Sequence, residues 1–323
     1  MGSSGPAGGG PHPRPLSPGR GVPDPEVTEG KGGVRAVGAG LGPSPAERGG
    51  RRVPAVVLAG ARCKGSLLEA TRQPYKALVR VAGKTLLDHC LEGLRRCETV
   101  ADAVVVGPAE CRSLVAGAGP QFSWLPCGET LLDNLLAGAQ AVGGSGEMIL
   151  ACAADAPLIG PAEVDRVVSR SLDTDKAFLY PIVSREVSEA AFPGCTRTYA
   201  RLRDGRFTGG NLMLVSRRLL LENADRIAAA FAARKKPFKL ARMLGLWFAI
   251  RVPFGKVTIA EAEERAGRIL GLPVAAVICE DAAIGMDVDK AEDLAIVEAA
   301  LAARLLGTPQ GRFVAPAQPH PRS

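Results

Sequence analysis

Two aspartates stand where strongly apolar stretches of the chain end. Asp155 follows the run 148–154, and Asp287 follows a second apolar stretch 132 residues later. In sheets of parallel strands, ligands bind at the carboxyl ends of the strands, so both carboxylates are expected at one edge of the sheet. Carboxylate oxygens are ligands that Mg²⁺ takes from proteins while it keeps several waters and bridges to substrate phosphates. The two positions therefore predict a magnesium site made of Asp155 and Asp287.

Each aspartate also has a purely structural interpretation. Asp155 precedes two prolines and could cap the helix that follows. Asp287 could belong to a turn. Asp289 is expected to cap the last helix rather than bind a ligand, with Glu292 three residues further on. The metal hypothesis therefore depends on Asp155 and Asp287 acting together.

Basic residues that could bind phosphate follow the first apolar run. The loop LAGARCKG carries Arg62 and Lys64, and it has the length of a turn whose backbone N–H groups cradle phosphates. Lys76 stands between Pro74 and another apolar run, where its ammonium group could reach a phosphate as a point charge. The simpler alternatives are a solvated basic loop and an ordinary exposed lysine.

These residues need a framework of strands and helices to bring them together. Ordered structure is predicted to begin at Val53, where PAVVLAG is short, apolar and rich in β-branched residues, as buried parallel strands are. Strand and helix patterns then alternate, which predicts an α/β fold with a mostly parallel sheet and helices on both faces. The segment 61–76 is expected to be a polar loop, and 274–288 is expected to form two short strands.

The domain organisation follows from composition. Residues 1–50 contain 15 Gly, 9 Pro and no aromatic residue. Such a segment buries too little apolar surface to offset the entropy lost on ordering. We therefore predict a disordered extension over 1–52, one domain over 53–305 with a helical insertion at about 223–270, and a disordered tail over 306–323.

Charge and histidine content exclude several functions. The formal net charge of +7 belongs mostly to the ends, because the first 52 residues carry +3 and the last 18 carry +2, which leaves +2 for the central 253. That balance does not fit a basic nucleic-acid-binding domain. Only one of the three histidines, His89, lies between the ends, which excludes multi-histidine zinc sites.

Cysteine use and hydropathy bear on location. The eight cysteines form no C-x-x-C motif and mostly stand among apolar residues, which favours reduced thiols in a cytoplasmic protein. No apolar run approaches the roughly 20 residues of a membrane span, and no signal peptide is expected.

The apolar-basic stretch 235–256 is expected to pack as a helical element, and peripheral contact with a membrane surface is the alternative. The sequence leaves the oligomeric state open.

Four blocks of the sequence together resemble a known superfamily. They are VVLAGARCKG, PYKALVRVAGKTLLDHCLEGL, the strand that ends in AADAPLI, and MDVDKAEDLAIVEAAL. In order and spacing they look like the signature blocks of MobA-like nucleotidyltransferases. The resemblance implies a Rossmann-like fold of the GT-A type. It also implies transfer of a nucleotide from an NTP to a phosphorylated acceptor, such as a sugar, polyol or cofactor phosphate.

The resemblance assigns roles to individual residues. Lys76 matches the lysine that contacts phosphate in the family, Asp155 matches its metal aspartate, and Asp287 matches the second metal position. Ala61 and Cys63 depart from the glycines usual in the loop and could restrict the approach of phosphates, so a catalytically inactive nucleotide-binding module is an alternative. The residues that match the nucleotide-binding loop are Leu58, Ala59, Gly60, Ala61, Arg62 and Lys64.

Two further segments are candidates for substrate contacts. Gly209, Gly210 and Asn211 correspond to a stretch that lines the acceptor pocket in related nucleotidyltransferases, and a hairpin turn is the alternative. Thr130 and Asn134 are candidates for nucleotide recognition, although Asn134 is as readily explained as a capped or solvated helix residue.

The predicted reaction needs no protein nucleophile. The acceptor phosphate attacks the α-phosphorus of the NTP in line and pyrophosphate leaves, while Lys76, Arg62 and Lys64 hold phosphate oxygens; Lys76, Asp155 and Arg62 are the predicted catalytic residues. A nucleotide-sugar glycosyltransferase is the competing hypothesis. That group usually carries D-x-D after a mid-chain strand, where this chain has D-A-P at 155–157.

Overall fold

The structure is a computed structural model, and it describes residues 52–143, 147–233 and 242–305. The disorder predicted for the two ends falls on 1–51 and 306–323, which lie outside the described residues. The same holds for Lys235, Lys236 and Lys239 of the apolar-basic stretch.

Strands and helices alternate along the first half of the described chain. The strands are β1 Val53–Leu58, β2 Arg80–Val81, β3 Lys84–Thr85, β4 Val100–Gly107, β5 Phe122–Pro126, β6 Met148–Ala153, β7 Phe178–Ser184, β8 Ala200–Leu202, β9 Gly205–Gly209, β10 Leu212–Ser216 and β11 Val274–Cys279. The helices are α1 Gly65–Thr71, α2 Leu86–Arg95, α3 Cys111–Ala118, α4 Leu131–Ala141, α5 Pro161–Leu172, α6 Arg185–Ala191, α7 Arg217–Glu222, α8 Ala224–Ala233, α9 Leu246–Arg251, α10 Ile259–Leu270 and α11 Ala291–Leu305.

Most of these strands form one mixed sheet. Its order is β5-β4-β1-β6-β10-β7-β9-β8, and β11 pairs with β7. The pairs β4–β5, β1–β4, β1–β6 and β7–β11 are parallel, whereas β10 is antiparallel to both β6 and β7. The prediction of an α/β fold with a mostly parallel sheet is therefore confirmed. The carboxyl ends of β1, β6 and β7 lie at the same edge.

The core holds the sheet between helices on both faces. All six residues of β1 are buried. Val57 packs in a cluster with Leu87 of α2 and Val164 of α5, while its neighbour Val56 packs in a second cluster with Leu135 of α4. Each fully buried aliphatic side chain contributes about 1.5–3 kcal/mol to folding. The alternation along β1 thus fixes one helical layer on each side of the strand that leads into the loop at 59–64.

Two local predictions were wrong. The expected polar loop 61–76 contains helix α1, whose Leu67 is fully buried, and a single 3₁₀ turn starts at Lys76. The expected second strand within 274–288 is a 3₁₀ turn, Ala282–Gly285. Beyond this turn, the N–H of Val288 donates a 3.0 Å hydrogen bond to the main-chain oxygen of Asp155, which follows β6, a strand that does not pair with β11.

The hairpin of β2 and β3 carries conformational strain at Ala82. Its two-residue loop is Ala82–Gly83, and both residues have positive φ, 49° and 80°, as in a type I′ turn. A left-handed conformation costs a residue with a side chain about 1–2 kcal/mol. We expect Ala82→Asn to raise the melting temperature by about 2–4 °C, measured by calorimetry. Ala82→Val, which adds a β-branch at the same φ, should lower it, and a lower value for Ala82→Asn would contradict the strain.

Candidate active site

Three carboxylates converge at the carboxyl edge of the sheet. Asp155 follows β6, and Asp287 and Asp289 follow the 3₁₀ turn Ala282–Gly285. One oxygen from each lies within 4.8 Å of the others. Asp155 is only 7% exposed, whereas the Asp289 side chain is 56% exposed. The structure thus brings together Asp155 and Asp287, the two residues that the sequence predicted to meet, and adds Asp289.

Lys76 lies between these carboxylates. Its Nζ donates a 2.8 Å hydrogen bond to Oδ2 of Asp155, donates a second to Oδ1 of Asp289, and lies 4.0 Å from Oδ2 of Asp287. The main-chain N–H of Lys76 donates to the carbonyl oxygen of Ala61 at 2.9 Å. Lys76 therefore connects the loop after β1 with the carboxylates, and it is not an ordinary exposed lysine.

Arg197 is a member of the site that the sequence did not indicate. Its Nη1 donates to Oδ1 of Asp287, and its Nη2 donates to the main-chain oxygen of Asp287 and lies 2.9 Å from the sulfur of Met286. The Arg197 side chain is 8% exposed, and its Nε has no hydrogen-bond partner among the described residues. It precedes β8 in a stretch without a regular apolar pattern, so no periodicity singled it out.

The charges of the site shift its pKa values. Burial raises the pKa of Asp287 to about 6; Arg197 opposes this rise, and the neighbouring charges of Asp155 and Asp289 add to it. Burial would lower the pKa of Lys76, but the carboxylates of Asp155 and Asp289 outweigh it and raise that pKa. Burial also acts to raise the pKa of Asp289, but the hydrogen bond from Lys76 and its charge bring it below the ordinary value.

The capping interpretations of these aspartates were wrong. Asp293, in the first turn of α11, accepts hydrogen bonds from the N–H groups of Asp289 and Lys290, both at 2.9 Å. The first N–H of the helix, that of Ala291, donates to Ser66 at 3.2 Å and not to Asp289. Helix α5 begins beyond Asp155, at Pro161. The N–H of Gly160, just before this helix, donates a 3.0 Å hydrogen bond to Glu163. Because neither Asp155 nor Asp289 serves as a cap, both carboxylates remain available to the site.

The loop after β1 presents backbone N–H groups. Leu58 and Ala59 are buried, and the N–H of Ala59 continues the ladder to Val106. The N–H groups of Gly60, Ala61 and Arg62 have no acceptor among the described residues. The guanidinium of Arg62 lies 4.7 Å from the centre of the Tyr75 ring, and Lys64 is exposed. Neither basic side chain contacts the three carboxylates.

The departures at positions 61 and 63 have little effect on this loop. Ala61 does not have positive φ, so its methyl group requires no strained backbone. The Cys63 side chain is buried with Leu67 and Leu86, away from the loop surface, and its N–H donates to the carbonyl of Pro74 at 3.1 Å. The backbone therefore keeps its course without glycine at either position.

Gly60 fits against a buried asparagine. A Cβ at Gly60 would lie 2.8 Å from Nδ2 of Asn134 and 3.1 Å from Cβ of Cys127. Asn134 is buried, and its Oδ1 accepts a 2.7 Å hydrogen bond from the N–H of Gly128. Thr130 caps α4 by accepting from the N–H three residues ahead at 3.1 Å. Asn134 is thus neither a cap nor a solvated residue, and its buried side chain lies against Gly60 of the loop after β1.

The candidate acceptor segment joins the carboxylate turn to the sheet. The N–H of Gly210 donates to the carbonyl of Pro181 at 2.8 Å, and the N–H of Asn211 donates to that of Ile284 at 2.9 Å. A Cβ at Gly209 would lie 2.1 Å from the hydroxyl of Tyr180. Burial raises the pKa of Tyr180, and the charge of Asp287 adds to this rise.

The remaining predictions concern solvent, membrane and thiols. No helix among the described residues is long and apolar enough to cross a bilayer. In the described part of 235–256, Arg251 pairs with Glu261 at 2.7 Å and Phe254 is exposed. Peripheral membrane contact stays a prediction. All eight cysteines are free thiols.

Three carboxylates and a lysine lie at the edge of a mostly parallel sheet, beside a loop whose N–H groups have no acceptor in the described part of the chain; this arrangement is typical of a phosphate-handling α/β enzyme. The model of the MobA-like NTP transferase domain matches residues 55–237, and the chain belongs to this family. It is therefore a nucleotidyltransferase, as the four sequence blocks predicted. The matched region includes Lys76 and Asp155 but ends before Asp287. None of the curated protein sequences compared with the chain matches it.

Solved structures support the same fold. A hypothetical transferase from Thermus thermophilus is 35% identical, with a TM-score of 0.67, and the match covers 75% of this chain and 99% of that one. The 4-diphosphocytidyl-2C-methyl-D-erythritol synthase of Anaerococcus prevotii is 14% identical, with a TM-score of 0.50 over 80% and 100% of the two chains. A CMP:2-keto-3-deoxy-manno-octonic acid synthetase in complex with CTP is 16% identical, with a TM-score of 0.51 over 79% and 99%. The Rossmann-like fold is thereby confirmed.

Proposed function

We propose that the protein transfers a nucleotide from an NTP to a phosphorylated small molecule in a Mg²⁺-dependent reaction that releases pyrophosphate. The observation that carries this proposal is the convergence of Asp155, Asp287 and Asp289 on Lys76, next to the N–H groups of the loop after β1. The acceptor is proposed to be a sugar, polyol or cofactor phosphate. Nucleic acid is not proposed as a partner, and the free thiols support a cytoplasmic location.

The donor set fits a magnesium ion. Carboxylate oxygens are the hard ligands that Mg²⁺ prefers, and the three oxygens lie within 4.8 Å of one another. Asp155 and Asp287 would hold the ion, with Asp289 as a third available ligand. When bound, the ion supplies positive charge to the triphosphate of the substrate.

The chain's own groups bind and orient the triphosphate. The N–H groups at 60–62, for which the described residues offer no acceptor, support a phosphate cradle, and Lys76 adds a positive charge within reach of it. Arg62 and Lys64 are proposed to contact phosphate oxygens from the exposed side of the loop. Arg197 holds Asp287 in place through two hydrogen bonds. Positioning and charge stabilisation of this kind suffice for transfer to a phosphate nucleophile, so no side chain needs to attack.

Pyrophosphate release tests the proposed function. The full-length protein is incubated with Mg²⁺, each of the four common NTPs, and a panel of sugar, polyol and cofactor phosphates. We expect release in at least one combination, and no release when the NTP or the acceptor is left out. If no combination releases pyrophosphate and calorimetry detects no binding of any NTP, the proposal is wrong.

Gly209→Ala tests the acceptor side of the site. The new methyl group would lie 2.1 Å from the Tyr180 hydroxyl, so the tyrosine or the segment must move. Displacements of about 1 Å near reacting groups can cost a hundredfold in rate. We expect the KM for the acceptor to rise at least about tenfold while the KM for the NTP stays the same. Gly117→Ala is the control, because a Cβ there meets nothing within 4 Å. A rise confined to the KM for the NTP would contradict the assignment.

A further inference from the structure

Lys76 already occupies the space between the carboxylates. Its ammonium group hydrogen-bonds to Asp155 at 2.8 Å and to Asp289, and it lies 4.0 Å from Asp287. These are the same three side chains whose oxygens lie close enough together to share one cation. A divalent ion cannot gain full access to the Asp155 oxygen that Lys76 holds, nor to the Asp289 oxygen, while the ammonium group remains there.

The charges of the site explain why Lys76 is held there. Three carboxylates face two cations, Lys76 and Arg197, and most of the group is shielded from water: the side chains of Lys76 and Asp155 are 12% and 9% exposed. Buried charges are stable only when they are paired. Lys76 thus acts as a built-in counter-ion for the carboxylates.

Of the two cations, Lys76 is the one that can leave. Arg197 is tied to the main-chain oxygen of Asp287 as well as to its carboxylate. Among the described residues, the ammonium of Lys76 contacts only carboxylates, and it ends a flexible four-carbon side chain. Its main chain is bonded to Ala61 of the loop after β1. A phosphate bound at that loop would therefore lie close to the base of the Lys76 side chain.

We propose that the ammonium group of Lys76 and the divalent cation are alternative partners of Asp155 and Asp289, and that a bound triphosphate releases the site by drawing Lys76 away. The second half of this inference rests on the proposed function, whereas the competition between Lys76 and the cation does not. The consequence is coupling: the cation binds weakly to the free protein and tightly to the nucleotide complex. Because binding free energies are linked, the cation strengthens nucleotide binding by the same factor.

Binding of Mn²⁺ to the metal-free, full-length protein tests the competition without any turnover. The concentration of unbound Mn²⁺ is measured from its electron paramagnetic resonance signal. We expect Lys76→Met to bind Mn²⁺ about tenfold or more tightly than the wild type in the absence of nucleotide. Lys76→Arg keeps the positive charge and should bind as weakly as the wild type. Lys84→Met is the matched control, since Lys84 pairs with Glu92 on the surface.

A thermal measurement covers the case in which Lys76→Met is unstable without metal. A ligand that binds only the folded state raises its melting temperature according to its affinity. Mn²⁺ should therefore raise the melting temperature of Lys76→Met more than that of the wild type. If Lys76→Met shows neither tighter binding nor a larger shift, or if Lys76→Arg behaves like Lys76→Met, the competition is refuted.

The release of Lys76 by a bound triphosphate is tested with α,β-methylene analogues of the four NTPs, which resist cleavage. An analogue that binds should tighten Mn²⁺ binding about tenfold or more in the wild type and far less in Lys76→Met. Equal coupling in both proteins would overturn the release mechanism even if the enzyme is active. If no analogue and no NTP binds and no pyrophosphate is released, but Lys76→Met still binds Mn²⁺ more tightly, the competition stands and the proposed function is wrong.

Discussion

Asp155→Asn is expected to lower the rate of pyrophosphate release by about a hundredfold to a thousandfold, the loss typical of removing one preorganised charge-stabilising group. Asp155 is the most buried of the three carboxylates, and it accepts the 2.8 Å hydrogen bond from Lys76. Asparagine keeps the shape of the side chain but removes its charge, so it weakens the cation site and leaves Lys76 with Asp289 as its main partner.

The measurement is initial-rate pyrophosphate release under saturating substrates, accompanied by a melting curve. Asp102→Asn is the matched control, because Asp102 is exposed on β4, and it should retain the wild-type rate. An unchanged rate for a folded Asp155→Asn would show that the metal assignment at this residue is wrong.

Arg197→Met is expected to produce the second large effect. Breaking a buried ion pair by removing one partner costs about 3–5 kcal/mol, because the other charge stays buried and unpaired. Arg197 holds down the pKa of Asp287, so its loss should raise that pKa above the value of about 6 in the intact site. Arg197→Lys keeps the charge but cannot hold the carboxylate and the main chain at once. The pKa of Asp287 in Arg197→Lys should therefore lie between its values in the wild type and in Arg197→Met.

The pH dependence of Mn²⁺ affinity measures this shift. A cation binds the ionised form of Asp287, so affinity rises with pH and levels off above the pKa. In the wild type the affinity should fall about tenfold for each pH unit below about 6. In Arg197→Met the same fall should begin at a higher pH, while Arg206→Met, at an exposed position of β9, should follow the wild-type curve. Coinciding curves for Arg197→Met and the wild type would contradict the role of Arg197.

Sequence reasoning found residues that follow strands or that match the family blocks. Asp155 could be predicted because an apolar run defines where β6 lies, and parallel strands bring their carboxyl ends to one edge. Lys76 was found because it stands between Pro74 and an apolar run and matches a lysine of the family. The four family blocks then linked Asp287 to the same edge. These inferences need only the order of the strands along the chain and no knowledge of which strand lies next to which.

The residues that were missed depend on pairing between distant strands. Tyr180 meets the candidate acceptor segment because β9 pairs with β7 and places Gly209 against the tyrosine hydroxyl. Arg197 reaches Asp287 from the segment before β8, which no local pattern marks. Asp289 was misassigned because a local capping rule suited it, whereas in the structure the first N–H of α11 donates to Ser66 and the Asp289 carboxylate accepts from Lys76.

The chain order of the site has a consequence during synthesis. The hydrogen bond between Val288 and Asp155 joins positions separated by more than a hundred residues, and at ordinary translation rates the ribosome needs on the order of ten seconds to cover that distance. Throughout this interval the emerging chain contains Lys76 and Asp155, an oppositely charged pair of zero net charge, but neither Asp287 nor Asp289. An incomplete chain therefore lacks the carboxylate cluster, and under the proposed function a cation is expected to bind only after Asp287 and Asp289 have been added.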